Sequence, residues 1–248
     1  LIGAGAANIA IARLIIKAGV TPGNIIQVDS KGILYRDRGD KEILKRDFKE
    51  KWHICEITNE ENRKGDMAEA IKDMDVLISA SKVGPGVIKK EWVKTMREDS
   101  IVFAEANPIP EIWPWEAKEA GARIVATGRS DFPNQVNNSL GFPGIFRGAL
   151  DTRATKITDE MCIEAANELA KVAEDKGIHE DYIIPNMDQW EVFPREAVAV
   201  GNKGIEQGVA RVKTSPEERF KMAESIIKKA RAEVQTMMKE NYILDPDA

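Results

Sequence analysis

Along the first half of the chain, short apolar runs closed by turn-prone or acidic residues alternate with stretches whose apolar residues recur at helical spacing. Residues 25–29, 75–79, 100–104 and 122–126 are the apolar runs. Each predicts a short strand, bounded by turn-prone residues. Leu1 and Ile2 read as the stump of a further strand, truncated at its start. Ile9, Ile11, Ala12, Leu14, Ile15 and Ile16 form a helical stripe that stops at Gly19, a residue type that commonly ends helices. Asp66 is placed to cap a helix over 67–72, residues 89–96 form another, and Pro114 suits the first turn of one that runs to Gly121. The charged stretch 35–51 lacks alternation and predicts a loop followed by a short helix. Strand and helix in alternation predict an α/β fold built on a doubly wound parallel sheet.

Beyond Phe142 the pattern is helical. Residues 145–154, 158–175 and 194–208 are candidate helices, the second with Thr158 as cap and Met161, Ile163, Ala165, Ala166, Leu169 and Val172 as its apolar stripe. Ser215, Pro216, Glu217 and Glu218 combine a cap, a helix-starting proline and an acidic first turn, and launch a helix over 219–240. The expected organisation is a sheet domain over 1–155 and a helical part over 156–248 packing on it. The last helices either wrap the sheet or contact a second copy.

The chemistry gathers at the carboxyl ends of the strands, where open α/β sheets bind ligands. Leu-Ile-Gly-Ala-Gly-Ala-Ala-Asn reads as strand end, glycine turn and helix start. Gly3 and Gly5 supply a tight turn and a close backbone approach to a pyrophosphate, as a G-x-G-x-x-G fingerprint requires, which makes the sheet Rossmann-like. Asn8 replaces the third glycine. It implies either a wider approach of helix to sheet or an amide hydrogen bond to the loop. Asp29 closes the second run about 20 residues beyond the fingerprint, where a carboxylate binds an adenine ribose. Ser81, in the loop 81–86, and Asn107, in the loop 105–110, project from later strand ends.

Composition narrows the classes. The chain has 248 residues, 43% hydrophobic and 31% charged, with a net charge of −5. It lacks the basic stripe of a nucleic-acid binder, an apolar run long enough for a membrane span, and a cleavable signal pattern. A cytoplasmic protein is expected. Cys55 and Cys162 show no disulfide or zinc spacing and read as buried thiols, and His53 and His179 as surface or packing residues. The start at Leu1, without Met and inside a strand, reads as the interior of a longer protein.

Five stretches then match one family: Gly-Ala-Gly-Ala-Ala, Val-Asp-Ser-Lys-Gly-Ile-Leu, Ala-Asn-Pro-Ile-Pro-Glu-Ile, Ala-Thr-Gly-Arg-Ser-Asp-Phe-Pro-Asn-Gln-Val-Asn-Asn and Phe-Pro-Gly-Ile-Phe-Arg-Gly-Ala-Leu-Asp. From Leu1 to about Asn202 the chain resembles the NAD(P)-binding domain of prokaryotic malic enzymes, the oxaloacetate-decarboxylating malate dehydrogenases. The resemblance implies oxidation of malate with NAD(P), decarboxylation assisted by Mg2+ or Mn2+, and protonation to pyruvate, in a homodimer or higher oligomer. It implies a lysine base, a tyrosine acid and three carboxylate metal ligands that precede the glycine turn, in a catalytic domain absent from this chain. No catalytic or metal role therefore falls on Tyr35, Lys82 or Asp131, which read as loop residues.

What the resemblance carries onto this chain is binding. Gly3, Ala4, Gly5, Ala6 and Ala7 match the pyrophosphate turn at a helix N-terminus. Asp29 matches the ribose acid, Ser81 lies beside the cofactor, and Asn107, Asn137 and Asn138 match asparagines that touch nicotinamide and malate. The local alternative is that Asn107 caps its loop and that Asn137 and Asn138 cap the next helix. NAD is favoured over NADP because Asp29 repels a 2′-phosphate, although Lys31 stands two residues on. Two other readings stand beside this one: the nucleotide domain of another dehydrogenase, and a non-catalytic nucleotide-binding or oligomerisation module.

Overall fold

In the computed structural model, residues 1–244 are described, and they divide into two compact units. The first comprises Leu1–Asn137 with Lys176–Ile184, the second Asn138–Asp175 with the chain from Pro185 onward. The expected domain boundary near residue 155 falls inside the second unit.

The first unit is built on parallel pairing. Strands β3 (Val76–Ser79), β4 (Ile101–Ala104) and β5 (Ile124–Thr127) pair in that order, in register Val76↔Ile101↔Ile124. Ile2 bridges in parallel to Ser79 on one side and to Val28 on the other. Ile2 thus holds the middle of the sheet as a single bridging residue. Helices α1 (Ala6–Lys17), α4 (Met67–Ile71), α5 (Lys90–Val93) and α6 (Pro114–Glu119) connect the strands, and Ile2, Val28, Leu77, Val102 and Val125 share one core with Ile71, Ile88, Ile112 and Ala117. In β3 and β4 the deeply buried positions alternate, Leu77 with Ser79 and Val102 with Ala104, while Val76 is exposed. Asp66 caps α4 by accepting from Glu69 N at 3.1 Å.

Three expectations need correction. Residues 25–29 do not form a continuous strand: only β1 (Val28–Asp29) pairs, antiparallel to β2 (Gly32–Ile33). Ser30 and Lys31 turn the chain back, helped by Lys31 N donating to Asp29 Oδ1 at 2.9 Å. The charged stretch gives two helices, α2 (Lys41–Asp47) and α3 (Lys49–Ile57), because Leu44, Ile54 and Cys55 bury against Ala12 and Leu34. Cys162 is half-buried, whereas Cys55 is buried, and burial pushes the Cys55 thiol up to about 11.

The second unit is helical: α7 (Asn138–Asp151), α8 (Asp159–Lys176), α9 (Val192–Glu206) and α10 (Pro216–Lys239). α7 and α9 pack closely. A Cβ on Gly148 would stand 2.5 Å from Ala197 O and 2.8 Å from Val200 Cβ. Met161, Ala165 and Val200 form the buried centre with Ile145, Ala149 and Val209 around them. Thr158 Oγ1 caps α8, accepting from Met161 N at 3.2 Å, and Ser215 and Glu218 close a reciprocal capping box on α10.

Candidate functional site

The chain leaves Ile2 through α1 to reach β1 on one side, then returns past Ile2 to β3 on the other. Strand order reverses at this point, and the crevice above it is where a doubly wound sheet takes its ligand. A cleft of about 700 Å³ opens there, lined by Gly3, Asp29, Lys31, Met67, Ser81 and Lys82. Three of the residues singled out in the sequence, Gly3, Asp29 and Ser81, are brought together in it.

The two fingerprint glycines prove to do different work. Gly3 has φ +105°, and a Cβ there would stand 2.9 Å from both Ala80 O and Asn8 Nδ2. Crowding against the β3 loop demands a glycine here. Gly5 is the N-cap of α1 at φ −86°, an ordinary conformation, and a Cβ on it would meet nothing within 4 Å among the described residues. The space it leaves opens outward. Gly5, Ala6 and Ala7 are exposed, no side chain caps α1 and no acid lies in its first turn, so its leading N–H groups face solvent as an anion site requires. Ala4 packs against the Ala12 and Leu34 cluster.

Asn8 settles its own question through the amide. It is fully buried and donates from Nδ2 to Ile2 O at 2.6 Å and to Ala80 O at 3.5 Å, while Oδ1 finds no donor among the described residues. Buried Gln27, unremarked in the sequence, donates to Gly3 O at 3.0 Å. These amides hold the turn from below.

Asp29 is not a bare carboxylate. Its side chain is only 8% exposed, with the Arg38 guanidinium at 3.2 Å and Lys51 Nζ at 3.3 Å. Together with the Lys31 N–H these occupy three of about four acceptor positions and leave one for a ligand hydroxyl. Lys31 Nζ is drawn away to Asp40 at 2.9 Å. Arg38 and Lys51 were hidden in the sequence inside a run of mixed charge.

On the other lip, Glu111 joins two strand-end loops. Its carboxylate is fully buried and accepts from Ser79 Oγ at 2.7 Å, Ser81 N at 2.9 Å, Ser81 Oγ at 3.3 Å and Ala106 N at 3.0 Å. Burial and then the Glu111 charge push the neighbouring Glu105 carboxyl up to about 8. Asn107 follows Ala106, and its side-chain amide lies beside Gly128, whose Cβ would be 3.1 Å from it. Asn137 Nδ2 donates to Gly128 O at 3.0 Å. Asn107 and Asn137 therefore meet at one strand-end backbone, while Asn138 opens α7 in the second unit.

An aromatic platform flanks this edge: Trp113 and Trp115 stack at 4.8 Å, Phe132 tilts against both, and the Arg129 guanidinium lies 5.9 Å from the Trp113 ring. Arg129 also donates to Pro108 O at 2.9 Å and grips Asp131, whose carboxyl that hydrogen bonding holds below its usual range. Tyr35 lies under Lys64 Nζ at 5.1 Å from its ring. Among the described residues, no group of three or more His, Cys, Asp or Glu side chains is gathered as a metal centre needs, and none is long and apolar enough as a helix to cross a membrane.

Comparison with known proteins identifies the family. Residues 1–203 match the family described as "Malic enzyme, NAD binding domain". The chain is 46% identical over 218 residues to a bifunctional malic/malolactic enzyme of Bacillus subtilis, covering 87% of this chain and 50% of that protein. It is 45% identical over 216 residues to an NAD-dependent malic enzyme of Geobacillus stearothermophilus, covering 87% and 43%. The crystal structure of Entamoeba histolytica malic enzyme superposes with a TM-score of 0.94 at 52% identity, over 98% of this chain and 50% of that one. The chain thus spans about half the length of the curated relatives it matches. It belongs to the malic enzyme NAD-binding domain family.

Proposed function

We propose that the chain serves as the cofactor-binding part of an enzyme that oxidises and decarboxylates malate to pyruvate and CO2. The observation that carries this reading is the exposed N-terminus of α1 at Gly5, without a side-chain cap and two residues beyond the cleft-lining Gly3. A bound nicotinamide dinucleotide supplies the hydride acceptor. In the reading, the turn from Gly3 to Ala7 holds the pyrophosphate through backbone N–H groups. Asp29 accepts from a ribose hydroxyl at its remaining lone pair. Ser81 lies against the cofactor, Asn107 serves nicotinamide and malate, and Asn137 and Asn138 donate amide N–H groups to the malate carboxylates without adding charge. The proton-transfer groups and metal ligands belong to residues outside those described for this chain.

NAD is the preferred cofactor in this reading, since the Asp29 carboxylate disfavours a 2′-phosphate. Arg38 and Lys51 favour a second reading, because they neutralise Asp29 and would tolerate NADP. The Geobacillus stearothermophilus relative is named as NAD-dependent and a Halomonas elongata relative as NADP-dependent. The protein is proposed to act in the cytoplasm as a homodimer or larger assembly, which light scattering would check. Calorimetric titration with NAD+, NADP+ and ADP-ribose tests the binding reading. Saturable binding of a dinucleotide that competes with ADP-ribose supports it, and no binding of any of the three overturns it.

A further inference from the structure

The crevice has a direction. If the pyrophosphate sits at Gly5 and the adenosine ribose at Asp29, on the β1 side of Ile2, the nicotinamide half extends to the opposite side, over the ends of β3 and β4. The loops there begin at Ser81 and at Ala106-Asn107. Backbone pairing between β3 and β4 stops at Ser79↔Ala104 and fixes neither loop. Glu111 takes over where pairing ends. Oε1 gathers Ser79 Oγ, Ser81 N and Ser81 Oγ, and Oε2 takes Ala106 N, so one buried carboxylate spans both loops. Its own segment is laced to the first loop by Ile88 N donating to Glu111 O at 3.2 Å and Gly84 N donating to Ile109 O at 3.1 Å. These donors are neutral hydroxyl and amide groups. Hydrogen bonds to an ionised acceptor are roughly twice as strong as neutral ones, and they fix direction as well as distance.

We propose that Glu111 is a positioning residue that sets the spacing of the Ser81 and Asn107 loops and thereby shapes the nicotinamide half of the site, without touching the cofactor itself. The proposal rests on dinucleotide binding at this crevice. Glu111→Gln still accepts from Ser79 and Ser81 but presents an NH2 where Ala106 N needs an acceptor, so it severs one loop from the other. Ser79→Ala removes a single donor and leaves the fold's buried volume almost unchanged.

The test is titration of the 248-residue chain with NADH and with ADP-ribose, which lacks the nicotinamide, for the native chain, Glu111→Gln and Ser79→Ala. Expected is a rise of about tenfold in the NADH Kd for Glu111→Gln and about threefold for Ser79→Ala, with the ADP-ribose Kd within twofold throughout. A merely structural glutamate would weaken both ligands alike. Equal weakening of the two ligands, or no change in either, overturns the proposal, as does a native chain that binds NADH no more tightly than ADP-ribose. Should Glu111→Gln lose its fold by circular dichroism, Ser79→Ala is read by the same criteria. A native chain that binds neither ligand overturns the dinucleotide reading instead.

Discussion

Alanine at Gly3 and alanine at Gly5 should have opposite consequences, although the residues are two apart in one motif. At Gly3 the new Cβ would lie 2.9 Å from Ala80 O and Asn8 Nδ2 and 3.3 Å from Ser81 Cβ, at φ +105°. Holding a non-glycine residue in such a conformation costs about 1–3 kcal/mol. Overpacking against backbone that cannot move aside adds about 1–3 kcal/mol. A loss near 3 kcal/mol corresponds to a Tm lowered by roughly 6–12 °C for a chain of this size. At Gly5, φ −86° suits alanine, and beyond its chain neighbours and own helix a Cβ would meet nothing within 4 Å among the described residues. There, the loss of a glycine N-cap, about 0.5–1 kcal/mol, is offset by the reduced entropy of the unfolded chain, about 0.4–1 kcal/mol. Gly5→Ala should therefore unfold within about 0.5 kcal/mol of the native chain, while its methyl group keeps the pyrophosphate off the backbone and raises the NADH Kd at least about tenfold, or 1.4 kcal/mol. Urea unfolding and fluorescence titration of both variants give the answer. Native NADH affinity in Gly5→Ala, or native stability in Gly3→Ala, would refute the division of labour.

Three further outcomes follow from the geometry. Glu196 is fully buried on α9, its oxygens accept no hydrogen bond among the described residues, and burial pushes its carboxyl up to about 9 from an ordinary 4.5. Glu196 then keeps a proton in the folded chain that it has lost in the unfolded chain between those values, so its contribution to stability should fall as pH rises from about 5 to 9, and the pH slope of urea midpoints should change in that direction in Glu196→Gln, with any slope due to Glu105 remaining; parallel slopes would sink the assignment. Asp29→Asn removes the charge that balances Arg38 and Lys51 and should shift the ratio of NADP+ to NAD+ affinity upward by about tenfold in calorimetry, an unchanged ratio counting against a ribose role. Ser215→Ala breaks the α10 capping box and should cost about 1 kcal/mol, seen as faster amide exchange at Glu218 with no effect on NADH binding.

Much of the fold is legible because its signals are local. The β3, β4 and β5 runs appear as short apolar stretches bounded by turn-prone residues, and the Ser215 box needs only neighbours in sequence. The β1–β2 hairpin escapes because two paired residues per strand leave no alternation to detect. The second helix of the charged stretch escapes because Ile54 and Cys55 are apolar islands whose partner, Leu34, lies beyond a loop. At the site, residue types were visible but their tasks were not. Gly3 and Gly5 look equivalent until Ala80 is brought alongside, and Glu111 shows its purpose only when residues some 30 positions earlier supply its donors. Asp29 likewise reads as a free acid until Arg38 and Lys51 close on it.

The bridge at Ile2 gives the first unit an unequal seam. Ile2 N donates to Ile78 O at 2.8 Å and Ala80 N to Ile2 O at 3.2 Å, while Gly3 N donates to Val28 O and Val28 N to Leu1 O, each at 2.9 Å. This short stitch joins the hairpin that carries Asp29 to the three-stranded sheet that carries Ser81. Regions with few backbone pairings open at low free energy while longer ladders stay closed. The lips of the cleft should therefore part along this seam before β4 loosens, and a dinucleotide gripping Asp29 on one lip and Ser81 on the other would act as a staple across it. Its protection against amide exchange would then be concentrated at Ile2, Gly3, Val28 and Ala80, with Val102 scarcely affected.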